Sequence, residues 1–182
     1  ARVSGADFTA CGQCWWCRGG HQWECAERQF FGTGEAFGPA LAGAQAEMVR
    51  VPFADSVLAP ISSGVGWDAA LFTGDILATG YAAVQQSRIS PGDTVAVIGG
   101  GPVGQFASLC AQACSAGPVV LIEPVEARRT FAQEHGAVTA TPESARSVLD
   151  ALTDGRGADA VIEAVGGPRG LDTGLSLIRR CG

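Results

Sequence analysis

In the second half of the chain, short apolar runs alternate with stretches of helical spacing. Continuous apolar runs at Thr94 to Ile98, Pro118 to Glu123, about Ala137 to Ala140, and Ala158 to Glu163 predict buried strands. Between the first two, Phe106, Leu109, Cys110 and Ala113 recur at the 3.6-residue period and predict a helix. Strands alternating with helices imply a parallel sheet with right-handed crossovers. The first half is less regular. Residues 44–51 alternate loosely and predict a strand, Pro52, Pro60 and Ser62-Ser63-Gly64 mark loops, and Trp67 to Leu71 begins a helical pattern. A turn at Thr73-Gly74-Asp75 then leads into a helix ending near Arg88, and Ser90-Pro91-Gly92-Asp93 is a turn before the strand at Thr94. Ala1 to Val3 reads as the tail of a strand and Arg180-Cys181-Gly182 as a helix handing over to another. The chain is therefore expected to be part of a longer protein.

Where the first buried run meets the helix, Gly99, Gly101 and Gly104 fall on G-x-G-x-x-G, with Pro102 and Val103 in the turn and the helix beginning at Gly104. In a dinucleotide fold the first glycine allows the turn, the second lets backbone approach a pyrophosphate, and the third lets helix pack on strand. A ligand-free turn would show the same hexamer, and the surrounding strand and helix patterns raise it above that. Glu123 ends the second strand 19 positions after Gly104, close to the roughly 20 at which an acid meets the ribose hydroxyls. A carboxylate there repels a 2′-phosphate, favouring NAD over NADP, with Arg128 and Arg129 on the other side of the balance.

Cys11, Cys14, Cys17 and Cys25 form C-x2-C-x2-C-x7-C. Four thiols so close suit one tetrahedral metal, and a zinc with four thiolates is a closed, structural site. Iron–sulfur ligation or redox cysteines are the alternatives. Trp15, Trp16 and Trp23 crowd the same lobe and pack it against a neighbouring surface, or else stack nucleic acid bases. Cys110 and Cys114, four apart on a helix, read as small core residues, and His135 as a last-turn residue before the helix-ending Gly136.

Composition narrows the field. The apolar fraction of 47% supports a packed core, and the net charge of -6 with scattered basic residues offers neither a nucleic acid backbone nor an anionic membrane a partner. No apolar run approaches the roughly 20 residues needed to span a bilayer, and a cytoplasmic protein is expected.

The ordered combination of the four-cysteine lobe, the 44–55 segment, Thr79-Gly80 and the glycine turn resembles the zinc-containing medium-chain alcohol dehydrogenases, particularly the glutathione-independent formaldehyde dehydrogenase branch. The resemblance implies an α/β fold: part of a GroES-like, β-rich catalytic domain over residues 1–76, and part of a doubly wound Rossmann domain over 77–182. It implies that Cys11, Cys14, Cys17 and Cys25 hold a structural zinc and that Asp75 is the third ligand of a catalytic zinc, where many relatives have Cys. The other two ligands, a Cys and the His of a Gly-His-Glu motif, would lie upstream of Ala1. Thr79 and Val103 match residues packed on the nicotinamide ring, Arg128 a basic residue beside the adenosine ribose, and Val165 and Gly166 the lining of the cofactor cleft. The implied activity is hydride transfer between a small alcohol or aldehyde and NAD, in a dimer or tetramer. An inactive NAD- and zinc-binding sensor is the competing expectation.

Overall fold

A computed structural model describes all 182 residues, which divide into two compact units, Ala1–Asp75 and Ile76–Gly182.

The first unit is held by short strands. β1 (Val3–Gly5) pairs antiparallel with β4 (Leu58–Pro60), and β2 (Phe8–Thr9) with β3 (Gln29–Phe30). Between them lie α1 (Trp15–Arg18) and a 3-10 turn at Gln22–Glu24, followed later by α2 (Ala54–Val57) and α3 (Trp67–Leu71). The strand predicted for residues 44–51 does not form: the segment is irregular, and residues 42–50 are all exposed. Ala44, Ala46 and Met48 fall on one side of an extended segment but Val49 and Val51 on the other, so neither face is apolar throughout, and the partner of β1 is instead the Leu58 strand. The buried anchor of the region is Leu41, bridged to Phe31 and Gly34.

The second unit opens with α4 (Ile76–Gln86) and continues as β5 (Val95–Ile98), α5 (Pro102–Ala113), β6 (Val119–Ile122), α6 (Glu126–Glu134), β7 (Val138–Ala140), α7 (Ala145–Thr153), β8 (Ala160–Glu163) and α8 (Pro168–Leu177). All four strands are parallel, in the order β7-β6-β5-β8. Each lies within two residues of its predicted bounds. Successive side chains of β5 point to opposite faces: Val95 and Val97 pack with Val84, Ala107 and Ala111, and Ala96 and Ile98 with Leu149 and Leu177. A strand covered on both faces must be apolar throughout, which is why Val-Ala-Val-Ile does not alternate. Gly80 lets α4 lie close to α5, since a Cβ there would come 2.7 Å from the Ala107 nitrogen.

The strand order runs outward from β5 to β7 and then reverses to β8. Such a switch point opens a crevice at the carboxyl ends of the strands, beside β5. At the opposite end of the sheet, Asp159 accepts hydrogen bonds from the Thr94 N–H (2.8 Å) and from Arg179 Nε (2.6 Å). Burial alone would raise its carboxyl pKa, but these partners hold it below the usual value. A depressed folded-state pKa contributes stability above the unfolded value of about 3.9 and loses it as pH falls through the folded value. Asp159→Asn should therefore destabilise measurably in urea unfolding at about pH 6, with the difference from wild type shrinking toward zero near pH 2. An equal difference at both pH values would assign the effect to shape and not to charge.

Candidate cofactor crevice and metal lobe

The crevice beside β5 is built from the glycine turn outward. Gly99 has φ +97°, a left-handed conformation open to glycine at no steric cost. A Cβ at Gly104 would overlap the Gly99 carbonyl oxygen, so the third glycine is what lets α5 start against the end of β5. Gly101 is the N-cap of α5, no side chain caps this 12-residue helix, and Pro102 opens it. Its first-turn amides are thus a dipole-aligned set suited to an anion. A Cβ at Gly101 would meet nothing within 4 Å, leaving an open approach to the turn.

Glu123 is 3% exposed at the end of β6. Its Oε2 accepts the Gly100 N–H at 2.6 Å and its Oε1 the Val125 N–H at 2.9 Å, with Arg128 Nη1 3.7 Å away. Each carboxylate oxygen keeps a further lone pair for a ligand hydroxyl. Gly100 makes room for this acid, since a Cβ there would sit 2.8 Å from Glu123 Cγ. Gln105 Nε2 donates to the carbonyls of Gly100 (3.1 Å) and Arg128 (2.9 Å) and so ties the turn to α6. Arg129 is engaged elsewhere: its Nη1 donates to the carbonyls of Glu123 and Pro124 at 2.8 and 2.7 Å.

A cavity of about 660 Å³ lies over this crest, and its wall includes Gly99, Gly101, Glu123, Arg128 and Val165, five of the residues singled out from sequence. Gly104 is buried beneath the turn, Pro102 and Val103 stand on the first turn of α5, Gly166 lies in the β8–α8 loop, and Thr79 is exposed on α4. None of these is on the cavity wall. The wall also includes Pro142 and, on α8, Arg169, Gly170 and Thr173. These four had no sequence signal, because nothing in their spacing announces which helix turn faces the crest.

In the first unit the four cysteine Sγ atoms lie within 4.8 Å of one another, with Cys11 Sγ and Cys17 Sγ 3.9 Å apart. A tetrahedral zinc with Zn–S near 2.3 Å places its sulfurs about 3.8 Å apart, so the cluster fits that ion closely. The Gln13 and Cys14 N–H groups lower the Cys11 thiol to about 7, whereas burial and then the Cys14 thiol push Cys17 up to about 12. Four thiolates at this separation require a central cation to offset their repulsion. Asp75 stands apart from the cluster as an exposed residue, and after burial its charge is the next contributor to the raised pKa of Asp7. Trp15 is 75% exposed, and Trp23 packs against Phe8, Phe30 and Phe37 with Arg28 over its ring at 4.4 Å. Cys110 is buried in the α5 core, where burial raises its thiol pKa, and Cys114 packs beside it.

A parallel sheet ordered β7-β6-β5-β8, a glycine turn into a helix and an acid following β6 define a dinucleotide-binding domain, here in a chain that also carries a lobe of four close cysteines. The Zinc-binding dehydrogenase family matches residues 102–182. The chain is 36% identical to zinc-type alcohol dehydrogenase B of Aspergillus flavus, over 99% of this chain and 43% of that protein. It superposes on alcohol dehydrogenase TADH from Thermus sp. ATN1 with a TM-score of 0.93 and 37% identity, covering 99% of this chain and 54% of the other. A Sinorhizobium meliloti 1021 protein solved bound to NADP is 28% identical, with a TM-score of 0.80 over 100% of this chain and 52% of its own. The chain belongs to the zinc-type alcohol dehydrogenase family. It spans about half the length of these relatives. No helix is long and apolar enough to cross a membrane.

Proposed function

We propose that this protein transfers a hydride between a small alcohol or aldehyde and NAD. The observation that carries the proposal is the buried Glu123 carboxylate, held by the Gly100 amide on the wall of the crest cavity. Gly99, Gly101, Pro102 and Gly104 shape the pyrophosphate site at the start of α5, and Glu123 accepts the ribose hydroxyls. That acid, with Arg129 engaged by backbone carbonyls, supports NAD over NADP. Arg128 flanks the ribose, Val165 lines the cleft with Gly166 behind it in the same loop, and Thr79 and Val103 position the nicotinamide ring.

Cys11, Cys14, Cys17 and Cys25 would hold a structural zinc, and Asp75 would contribute a carboxylate ligand to a catalytic one. A zinc at such a site lowers the pKa of a bound alcohol and polarises the carbonyl in the reverse direction. The Asp75 ligand is also what supports placement near the formaldehyde dehydrogenase branch. A cytoplasmic homo-oligomer follows from family likeness.

The test is calorimetry with NAD and NADP, zinc content by mass spectrometry, and an alcohol panel followed by cofactor absorbance. Glu123→Gln should weaken NAD about tenfold or more while narrowing the gap to NADP, because it removes one charge-assisted acceptor. Asp75→Ala should lower zinc content and abolish turnover with NAD affinity kept. No heat with either dinucleotide would overturn the reading.

A further inference from the structure

We infer that Glu163 is a positioning residue for the cofactor cavity: its carboxylate sets the shape of the glycine loop after β8, and through it the wall on which a dinucleotide lies. The inference rests on the dinucleotide reading above and adds to it a residue with no direct place on the cavity wall.

Glu163 is the last residue of β8, in register with Ile98 at the end of β5. Its Oε1 accepts the Val165 N–H at 2.7 Å and the Gly166 N–H at 3.0 Å, and its Oε2 lies 3.2 Å from the same Gly166 nitrogen. One carboxylate thus gathers two successive backbone amides. The loop needs such a constraint. Gly166 and Gly167 have φ of +84° and +81°, and glycine visits these regions as freely as their mirror images, so the loop's own residues do not select the observed path. The Glu163 carboxylate does.

What the loop carries is the cavity wall. The Ala164 N–H donates to the Ile98 carbonyl at 2.9 Å, and Val165 Cγ2 lies 2.7 Å from where a Cβ on Gly99 would be. The loop therefore abuts the glycine turn directly, and a shift of Val165 changes the space over Gly99. Val165 is 64% exposed, an apolar side chain held in water by hydrogen bonds to its backbone and available to be covered by a flat ligand. The first turn of α8 leaves room for this arrangement, because a Cβ at Gly170 would overlap the Glu163 carboxylate. Fixing the loop before the ligand arrives removes an ordering cost from binding.

The experiment compares wild type, Glu163→Ala and Glu163→Gln in NAD calorimetry, thermal melts and amide hydrogen exchange at Val165 and Gly166. Glu163→Ala should weaken NAD about tenfold with an almost unchanged melting temperature, since the group lost only pre-organises a surface loop. Exchange at both amides should accelerate. Glu163→Gln keeps a neutral oxygen at the Oε1 position, which makes the two shorter bonds, and should regain most of the affinity. Equal NAD affinity of wild type and Glu163→Ala overturns the inference, as does a loss of affinity that Glu163→Gln fails to rescue. Absence of NAD binding by wild type, with both amides still protected and released in Glu163→Ala, would instead remove the dinucleotide reading and leave the loop's dependence on Glu163 standing.

Discussion

Cys17→Ser is expected to release about one zinc per chain and to unfold the lobe around residues 5–34, the loss of a single ligand undoing the closed four-sulfur shell. The reason lies in how little else holds this region. Its buried cluster is Ala10, Cys17 and Cys25, with Phe8, Cys11 and Cys14 packed against it, so the four cysteines are themselves most of the core. Structural zinc in small lobes contributes roughly 10 to 16 kcal/mol of apparent binding free energy, far more than burial of a few small side chains provides. Zinc analysis should show the loss, and limited proteolysis should cut within the lobe. A chelator strong enough to strip the site should reproduce the pattern, while the second unit keeps its fold, its sheet being packed by residues of its own. An unchanged zinc content in Cys17→Ser would remove the tetrathiolate assignment.

Gly104→Ala should be the most damaging single methyl in the second unit. The added carbon would overlap the Gly99 carbonyl oxygen and sit 3.6 Å from Val97 Cγ1, so α5 must move off the end of β5. Overpacking of this kind costs about 1 to 3 kcal/mol, and here the displaced atoms are those of the glycine turn. The melting temperature should fall, and NAD affinity should drop by about 100-fold or more because the pyrophosphate amides lose their alignment. Gly101→Ala is the control. Its Cβ meets no protein atom within 4 Å and its φ of -69° suits any residue, so stability should hold while affinity falls. If both variants melt like wild type and bind NAD normally, the turn is not a phosphate site.

The parts of the fold legible in the sequence are those whose cause is local. A strand buried on both faces must be apolar at every position, so β5 and β6 stand out as unbroken runs. The C-x2-C-x2-C-x7-C spacing brings four ligands within reach of one ion whatever surrounds them, and the sulfurs do lie within 4.8 Å of one another. The 44–51 segment was misleading for the converse reason. Loose alternation of small or apolar residues with polar ones marks a strand only when a partner is available, and β1 pairs with Leu58–Pro60.

Gln105, Glu163 and Arg169 escaped sequence reading although they shape or border the crest, because their roles come from contacts between segments far apart in the chain. Gln105 reaches the Arg128 carbonyl 23 residues away, and Arg169 meets the crest cavity only because β8 lies next to β5.

By itself, then, the order of residues determined the βα alternation, the glycine turn with its acid at the end of β6, and the four-thiol lobe, since each depends on spacing along a single segment. The tertiary structure alone decided that β8 returns beside β5, that Gly100 supplies the amide holding Glu123, and that Glu163 pins the loop facing Gly99. Those relations are set by strand order and close packing, which bring together atoms that no periodicity in the chain connects.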